Sequence, residues 1–243
     1  MAVQIIEALL AAEQGVVSFA VSFGQTGSIV QDIATAQVLR ELTRHYLDKF
    51  GFGCVQTYLV YHQWMGQFPA ERAKAAALIA GSAVVASVVA ADKIVVKTVD
   101  EALGVPRPEI NAEAVETVNY VLRVFGSAQP MHSELIDREA RLVRSEVRSI
   151  LGTIFSLSGG AFWESVFRAC QEGFLDVPFS PHSDNVNRLI SMRDANRSVR
   201  IVDRGSVPIS DADAALEREL LSSRVDRSDK TYRQLLSDIN LMV

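Results

Sequence analysis

Apolar residues in the first half of the chain alternate between short continuous runs and longer, spaced patterns. Residues 1–15 gather Ile5, Ile6, Leu9 and Leu10 beside Glu7 and Glu13, with no basic start. That predicts an amphipathic helix rather than a leader segment. Val16 to Val21 reads as a strand, followed by Gly24-Gln25-Thr26-Gly27. A long helix follows, roughly Ile29 to Phe50, ended by Gly51 and Gly53. Val55 to Tyr61 is a second strand, and Pro69 opens a second helix. That helix carries the uncharged run Ala75 to Ala91, 17 residues rich in Ala, Gly and Ser. A membrane span needs about 20 apolar residues, so the run predicts a tightly packed internal helix. Lys93 to Lys97 is a third strand, after which the helical pattern resumes. Apolar strands alternating with helices predict an α/β fold with a parallel sheet.

The second half is less regular. Residues 110–125 and 133–156 read as helices, and Phe162 to Glu172 as a shorter one closed by Gly173. Pro178, Pro181, Asp194 and Asn196 mark loop. Val199 to Val202 reads as a short strand, and residues 211–226 as a helix with Asp211 and Asp213 in its first turn. Charge becomes denser after about residue 126, and almost every base there is Arg. The expected division is 1–125, three strand–helix units, and 126–243, a mostly helical region. Three parallel strands cannot close a barrel, which needs about eight. Left alone they would expose sheet edges and an apolar face. Other residues are therefore expected to complete the sheet, or the sequence belongs to a longer chain.

Composition narrows the class. The chain has 243 residues, 49% of them apolar and 22% charged, with a mean hydropathy of +0.15. Disorder and low complexity are excluded. A net charge of −5 argues against nucleic-acid binding. Cys54 and Cys170 form no CxxC pair; two buried thiols and no zinc site are expected, in a cytoplasmic protein without a membrane span.

Parallel α/β folds bind ligands at the carboxyl ends of their strands. Three polar or Gly-containing segments fall there: Ser22-Phe23-Gly24-Gln25-Thr26-Gly27, His62-Gln63-Trp64-Met65-Gly66, and Lys97-Thr98-Val99-Asp100-Glu101. Gly24 and Gly27 either admit a ligand to the backbone or serve a tight turn. His62 is an acid, base or hydrogen-bonded structural residue, without partners at metal-ligand spacing. Trp64 and Met65 offer either a flat, soft surface for a planar cofactor or ordinary core packing. Lys97 and Glu101 lie four apart, and Thr98-x-x-Glu101 matches a capping box with Glu101 one turn into a helix. Serine-nucleophile motifs, phosphate-binding Gly loops, dinucleotide fingerprints and the DxHxxG signature of cobalamin-binding domains are absent from the sequence.

At these segments the sequence resembles the large (epsilon) subunit of glutamate mutase, also called methylaspartate mutase. The matching stretches are EALLAAEQGV, SFGQTGSIVQDIA, YHQWMGQFP and KIVVKTVDEALGVPRPEINA, then FLDVPFSP and SMRDANRSVRIVDRGSVP. The resemblance implies a (βα)8 TIM-type barrel, of which this chain supplies about three C-terminal βα units. It implies an isomerase that interconverts (S)-glutamate and (2S,3S)-3-methylaspartate by a radical rearrangement. The cofactor implied is adenosylcobalamin, shared with a small cobalamin-binding subunit. By the same resemblance Lys97 and Glu101 contact the adenosyl ribose, Met65 packs on the cofactor and Val105 lies near the adenosyl group. The sequence starts where roughly the second half of the family's large subunit starts. The substrate clamp lies in the other half, in the same longer chain or a separate one, so no catalytic residue is assigned and this chain is not expected to be active alone. A related mutase for another acid, and a non-catalytic assembly or binding module, are the alternatives.

Overall fold

The computed structural model describes residues 1–126, 131–157, 160–178 and 180–222. Its helices and strands run α1 (Ala2–Glu13), β1 (Ser18–Gly24), α2 (Ile29–Lys49), β2 (Gln56–His62), α3 (Arg72–Val88), β3 (Lys93–Val95) and α4 (Pro108–Phe125). After them come α5 (Glu134–Ser156), α6 (Phe162–Glu172), β4 (Ile190–Arg193), β5 (Val199–Asp203) and α7 (Asp211–Ser222). The fold is mixed α/β, with β1, β2 and β3 in a parallel sheet in that order and β4–β5 in an antiparallel hairpin.

Local chemistry sets most boundaries. The α2 helix ends where Gly51 takes a left-handed φ of 85°, and the Phe52 amide donates back to the Leu47 carbonyl. Gly173, at φ 74°, closes α6 in the same region of φ/ψ space. Ser133 caps α5 by accepting a hydrogen bond from the Ile136 amide. The β1 and β2 strands lie later than the apolar runs suggest. Val16 and Val17 are 38% and 70% exposed and precede β1, whose pairing with β2 begins at Ser18↔Gln56 and continues to Gly24↔His62. Ladder hydrogen bonds, rather than hydrophobicity, fix the strand ends. For the same reason β3 stops at Val95 instead of Lys97. The α3 helix begins at Arg72, three residues after Pro69.

Packing is one-sided. Val21, Phe23, Leu59 and Tyr61 alternate onto one sheet face and share a core with α1, α2, α3 and α5. The alternate positions on the opposite face include exposed Ala20 and Tyr58. The α3 helix buries Ala75, Ile79, Ser82, Ala83, Val85 and Ala86, yet Ala76, Ala77 and Gly81 are exposed. It is a one-faced covering helix, not the fully internal helix its composition suggests. No helix among the described residues is long and apolar enough to cross a membrane.

The second half shares the core of the first. Ile136, Ala140, Val147, Leu151 and Ile154 of α5 pack with Leu39, Leu42 and Leu47 of α2. The β4–β5 hairpin is the departure from a mostly helical region; only its second strand stands out in the sequence. The helix expected over 211–226 spans Asp211–Ser222, and 223–226 lie outside the described residues. Cys54 is exposed and Cys170 half-buried, so neither is the core thiol that the composition suggests.

Buried Arg200 on β5 ties this half together. Its guanidinium meets Glu139 of α5 at 2.7 Å and Asp194 of the hairpin turn at 2.8 Å. Replacing Arg200 with Met leaves those carboxylates buried and uncompensated, which costs about 3–5 kcal/mol. Denaturant titration of the R200M chain measures this. The deficit shrinks as pH falls and the orphaned carboxylates take up protons.

Candidate functional site

The carboxyl ends of β1, β2 and β3 lie side by side, and two glutamines, half-buried Gln25 and buried Gln63, continue the ladder past them. The Gln25 backbone N–H donates to the His62 carbonyl, and Gln25 side-chain Oε1 accepts from the Trp64 backbone N–H and the Ser82 hydroxyl. Gln63, fully buried, accepts the Lys97 amide at its Oε1 and donates from Nε2 to the Ile79 carbonyl. Each glutamine binds one strand end to the next and to α3. Both lie in the polar segments expected at the site, but neither is singled out by the sequence, because their partners are 16 to 57 residues away.

Held by Gln63, Lys97 sits just past β3. Its Nζ donates to Glu101 Oε2 at 3.0 Å, and both side chains keep about a quarter of their surface in contact with solvent. Glu101 Oε1 accepts the Thr98 amide, while Thr98 Oγ1 accepts the Asp100 amide. These contacts resemble a capping box, but they close a turn over residues 99–103, and α4 starts only at Pro108. The expected helix is absent there, so Glu101 does not cap one. The carboxylate and ammonium are fixed in place and remain within reach of a ligand.

The other expected contacts separate. Met65 is 60% exposed on the β2–α3 loop, and a Cβ on Gly24 would stand 2.7 Å from its Cε. The missing side chain at Gly24 lets Met65 lie across the end of β1. Val105 follows Glu101 on the β3–α4 loop and is 96% exposed. Trp64 is only 3% exposed and packs with Phe68, Ala75, Ile79, Ala83 and Val118, so its face is core, not a platform for a planar group. Its indole N–H donates to the Gln67 carbonyl. The Arg193 guanidinium lies 5.6 Å from the Trp64 ring centroid. His62 is half-buried on the sheet face that the helices leave uncovered. Among the described residues no cluster could hold a metal ion.

Two further side chains support the rim. Asp32, in the first turn of α2, accepts the Thr26 amide at 2.7 Å and so fixes the loop after β1. Burial pushes its carboxyl up to about 6, opposed by the Thr26 hydrogen bonds and by the charge of Arg193. The Tyr61 hydroxyl is buried without a hydrogen-bond partner among the described residues, and burial followed by the Asp32 charge raises its pKa. The hairpin docks at the same end. Ser198 Oγ donates to Ser28 Oγ, and Gln31 exchanges two hydrogen bonds with the Val199 backbone. The stretch SMRDANRSVRIVDRGSVP thus belongs to the rim, a placement that its sequence position does not suggest.

A family model described as Methylaspartate mutase E chain (MutE) matches residues 1–243. The glutamate mutase epsilon subunit of Yersinia enterocolitica serotype O:8 is 36% identical over 241 residues, covering 98% of this chain and 50% of that protein. The protein of the same name from Escherichia coli O157:H7 is 34% identical over 240 residues, with 98% and 50% covered. That of Treponema denticola is 33% identical over 241 residues, again with 98% and 50% covered. The chain spans about half the length of these relatives. A match over its whole length places it plainly: the chain belongs to the methylaspartate mutase E chain family.

Proposed function

We propose that this chain is the adenosyl-facing component of a glutamate mutase, an adenosylcobalamin-dependent isomerase that interconverts (S)-glutamate and (2S,3S)-3-methylaspartate. The observation that carries the reading is the Lys97–Glu101 pair. It is locked by backbone contacts at the end of β3, yet each side chain remains partly open to solvent. The donor set suits a ribose. The Glu101 carboxylate keeps lone pairs beyond those used by Lys97 and Thr98 to accept from sugar hydroxyls, and Lys97 keeps N–H groups to donate to a sugar oxygen. Exposed Met65 offers a polarisable apolar contact for the cofactor, and Val105 a small one near the adenosyl group. Adenosylcobalamin, when bound, supplies the carbon radical that starts the rearrangement. The role of this chain is to hold the sugar by charge-assisted bonds that tolerate a change in its position.

In this reading residues 1–125 are three consecutive units of a (βα)8 barrel, and 126–243 pack on its outside. Two observations support it. The strands run parallel in chain order, with their helices on one face. The other face and the outer edges of β1 and β3 are left for further strands, in the same or a separate chain. Those strands would carry the clamp for the substrate carboxylates. The sequence has no DxHxxG signature, so a small cobalamin-binding subunit would hold the cofactor from the opposite side.

Reconstitution with the companion barrel half and the small subunit tests the proposal, with conversion of glutamate to 3-methylaspartate as readout. A charge-assisted hydrogen bond contributes roughly 1.5–3 kcal/mol. Glu101→Gln is therefore expected to lower turnover about ten- to hundredfold. The melting temperature stays close to that of the parent, since no helix depends on Glu101. Unchanged turnover in E101Q removes the ribose assignment. Rearrangement of a different acid by the parent assembly favours a related mutase, and assembly without any rearrangement favours a binding module.

Cobalamin binding gives a separate expectation. The isolated chain should leave cobalamin free in equilibrium dialysis, and retention should appear only when the small subunit is added. Tight stoichiometric binding by the isolated chain would contradict the shared-cofactor reading.

A further inference from the structure

The buried cluster behind the hairpin holds more acid than base. Arg200 faces Glu139, Asp194 and, at 3.8 Å, Glu217 of α7. Glu139 also accepts from Gln31, and Glu217 accepts the Ile201 amide at 2.9 Å. Glu146 lies two turns beyond Glu139 on α5, half-buried, with its carboxyl close enough to that of Glu217 on α7 for the two to interact. Asp213, also on α7, accepts from Ser145 beside them. The second oxygen of Glu146, Oε1, is buried with no hydrogen-bond partner among the described residues. Glu146 borders a cavity of about 220 Å³ whose other walls include Val143, Val147, Ile150, Phe174 and Leu175. Met1 and Asp176 border the same cavity.

Two carboxylates that are both ionised offer only acceptors to each other and repel. Contact between them in an apolar setting requires a proton. Arg200 does not meet the demand alone: its single charge is shared among Glu139 and Asp194, to which it donates, and Glu217 at 3.8 Å, and no ion pair joins it to Glu146 among the described residues. A metal ion is not indicated either, since no group among the described residues has a suitable set of ligands. Burial, joined by the charges of Glu217, Asp213 and Glu139, raises the Glu146 carboxyl well above the ordinary range. Burial raises Glu217 too, against the opposing pull of Arg200.

We propose that Glu146 and Glu217 share one proton at neutral pH, and that this proton latches α7 to α5 and so holds the β4–β5 hairpin on the start of α2. The folded chain keeps a proton that the unfolded chain releases at the ordinary glutamate value. The contribution of this pair to stability is therefore full in acid and is lost as pH rises through the raised folded value. Each shared proton makes the unfolding constant climb up to about tenfold per pH unit in that window.

The test uses the full chain in the assembly in which it is purified. Infrared difference spectra at about pH 7.5 should show a protonated carboxylic acid band that disappears in Glu146→Gln. Between about pH 6 and pH 9.5 the unfolding midpoint of the parent should fall. In E146Q, whose amide is neutral throughout, the profile should be flatter. Glu217→Gln serves as the second variant if E146Q does not fold. Absence of the band in the parent overturns the proposal, and so does a parent profile as flat as that of the variant.

Discussion

A parallel sheet ends with backbone groups that its own ladder no longer pairs, and the site depends on how this chain satisfies them. Gln25 and Gln63 do so with their side chains, Gln63 as both donor and acceptor and Gln25 through its carbonyl oxygen. Through Gln63 the Lys97 amide is fixed to the end of β2 and, by the Ile79 carbonyl, to α3. Through Gln25 the Trp64 amide is fixed to the end of β1 and to Ser82. The Lys97–Glu101 pair and the loop carrying Met65 are therefore extensions of the sheet. Loss of either glutamine would leave buried donors and acceptors unpaired, at about 1–3 kcal/mol each.

The hairpin continues the same logic on the far side of the rim. Its strands are only 4 and 5 residues long and could not persist alone. They are held by polar contacts to α2 and α5, with Arg200 as the central charge and Gln31 as the bridge between the Val199 backbone and Glu139. Such a buried network is unforgiving, because each removed partner strands another group in low dielectric. It also carries position: Arg193, at the end of β4, sits over Trp64 and lends its charge to the environment of Asp32. The second half of the chain thereby reaches the loops after β1 and β2, and among the described residues it contributes no strand to the parallel sheet.

The sheet itself is asymmetric. On β1 the large Val21 and Phe23 face the helices with Leu59 and Tyr61 of β2, whereas small Ala20, Ser22 and Gly24 face the other way beside Tyr58, Val60 and His62 of β2. The small side chains of β1 permit close approach to that part of the face by whatever covers it. Membership of a family whose relatives are twice as long is consistent with that arrangement.

Local signals were legible because their causes are local. The ends of α2 and α6 follow from Gly51 and Gly173, the only residue type that adopts their backbone angles without strain. The one-sided α1 follows from its apolar spacing, and the stretches YHQWMGQFP and KIVVKTVDEALGVPRPEINA carried the family resemblance. Lys97 and Glu101 were readable as a pair because they are four residues apart. Their setting was not: a Thr-x-x-Glu pattern looks the same before a helix and in an isolated turn, and only the chain's path to Pro108 decides which forms. Burial of Trp64 and exposure of Met65 were undecided for the same reason, since adjacent residues of similar hydropathy face opposite ways only once α3 and α4 are packed. The hairpin at the rim, the amide bridges from Gln25 and Gln63, and the acid cluster around Arg200 join residues tens to more than a hundred positions apart. Sequence specifies which groups can make such bonds, but their pairing is set by the three-dimensional path that brings a buried donor to the nearest unsatisfied acceptor.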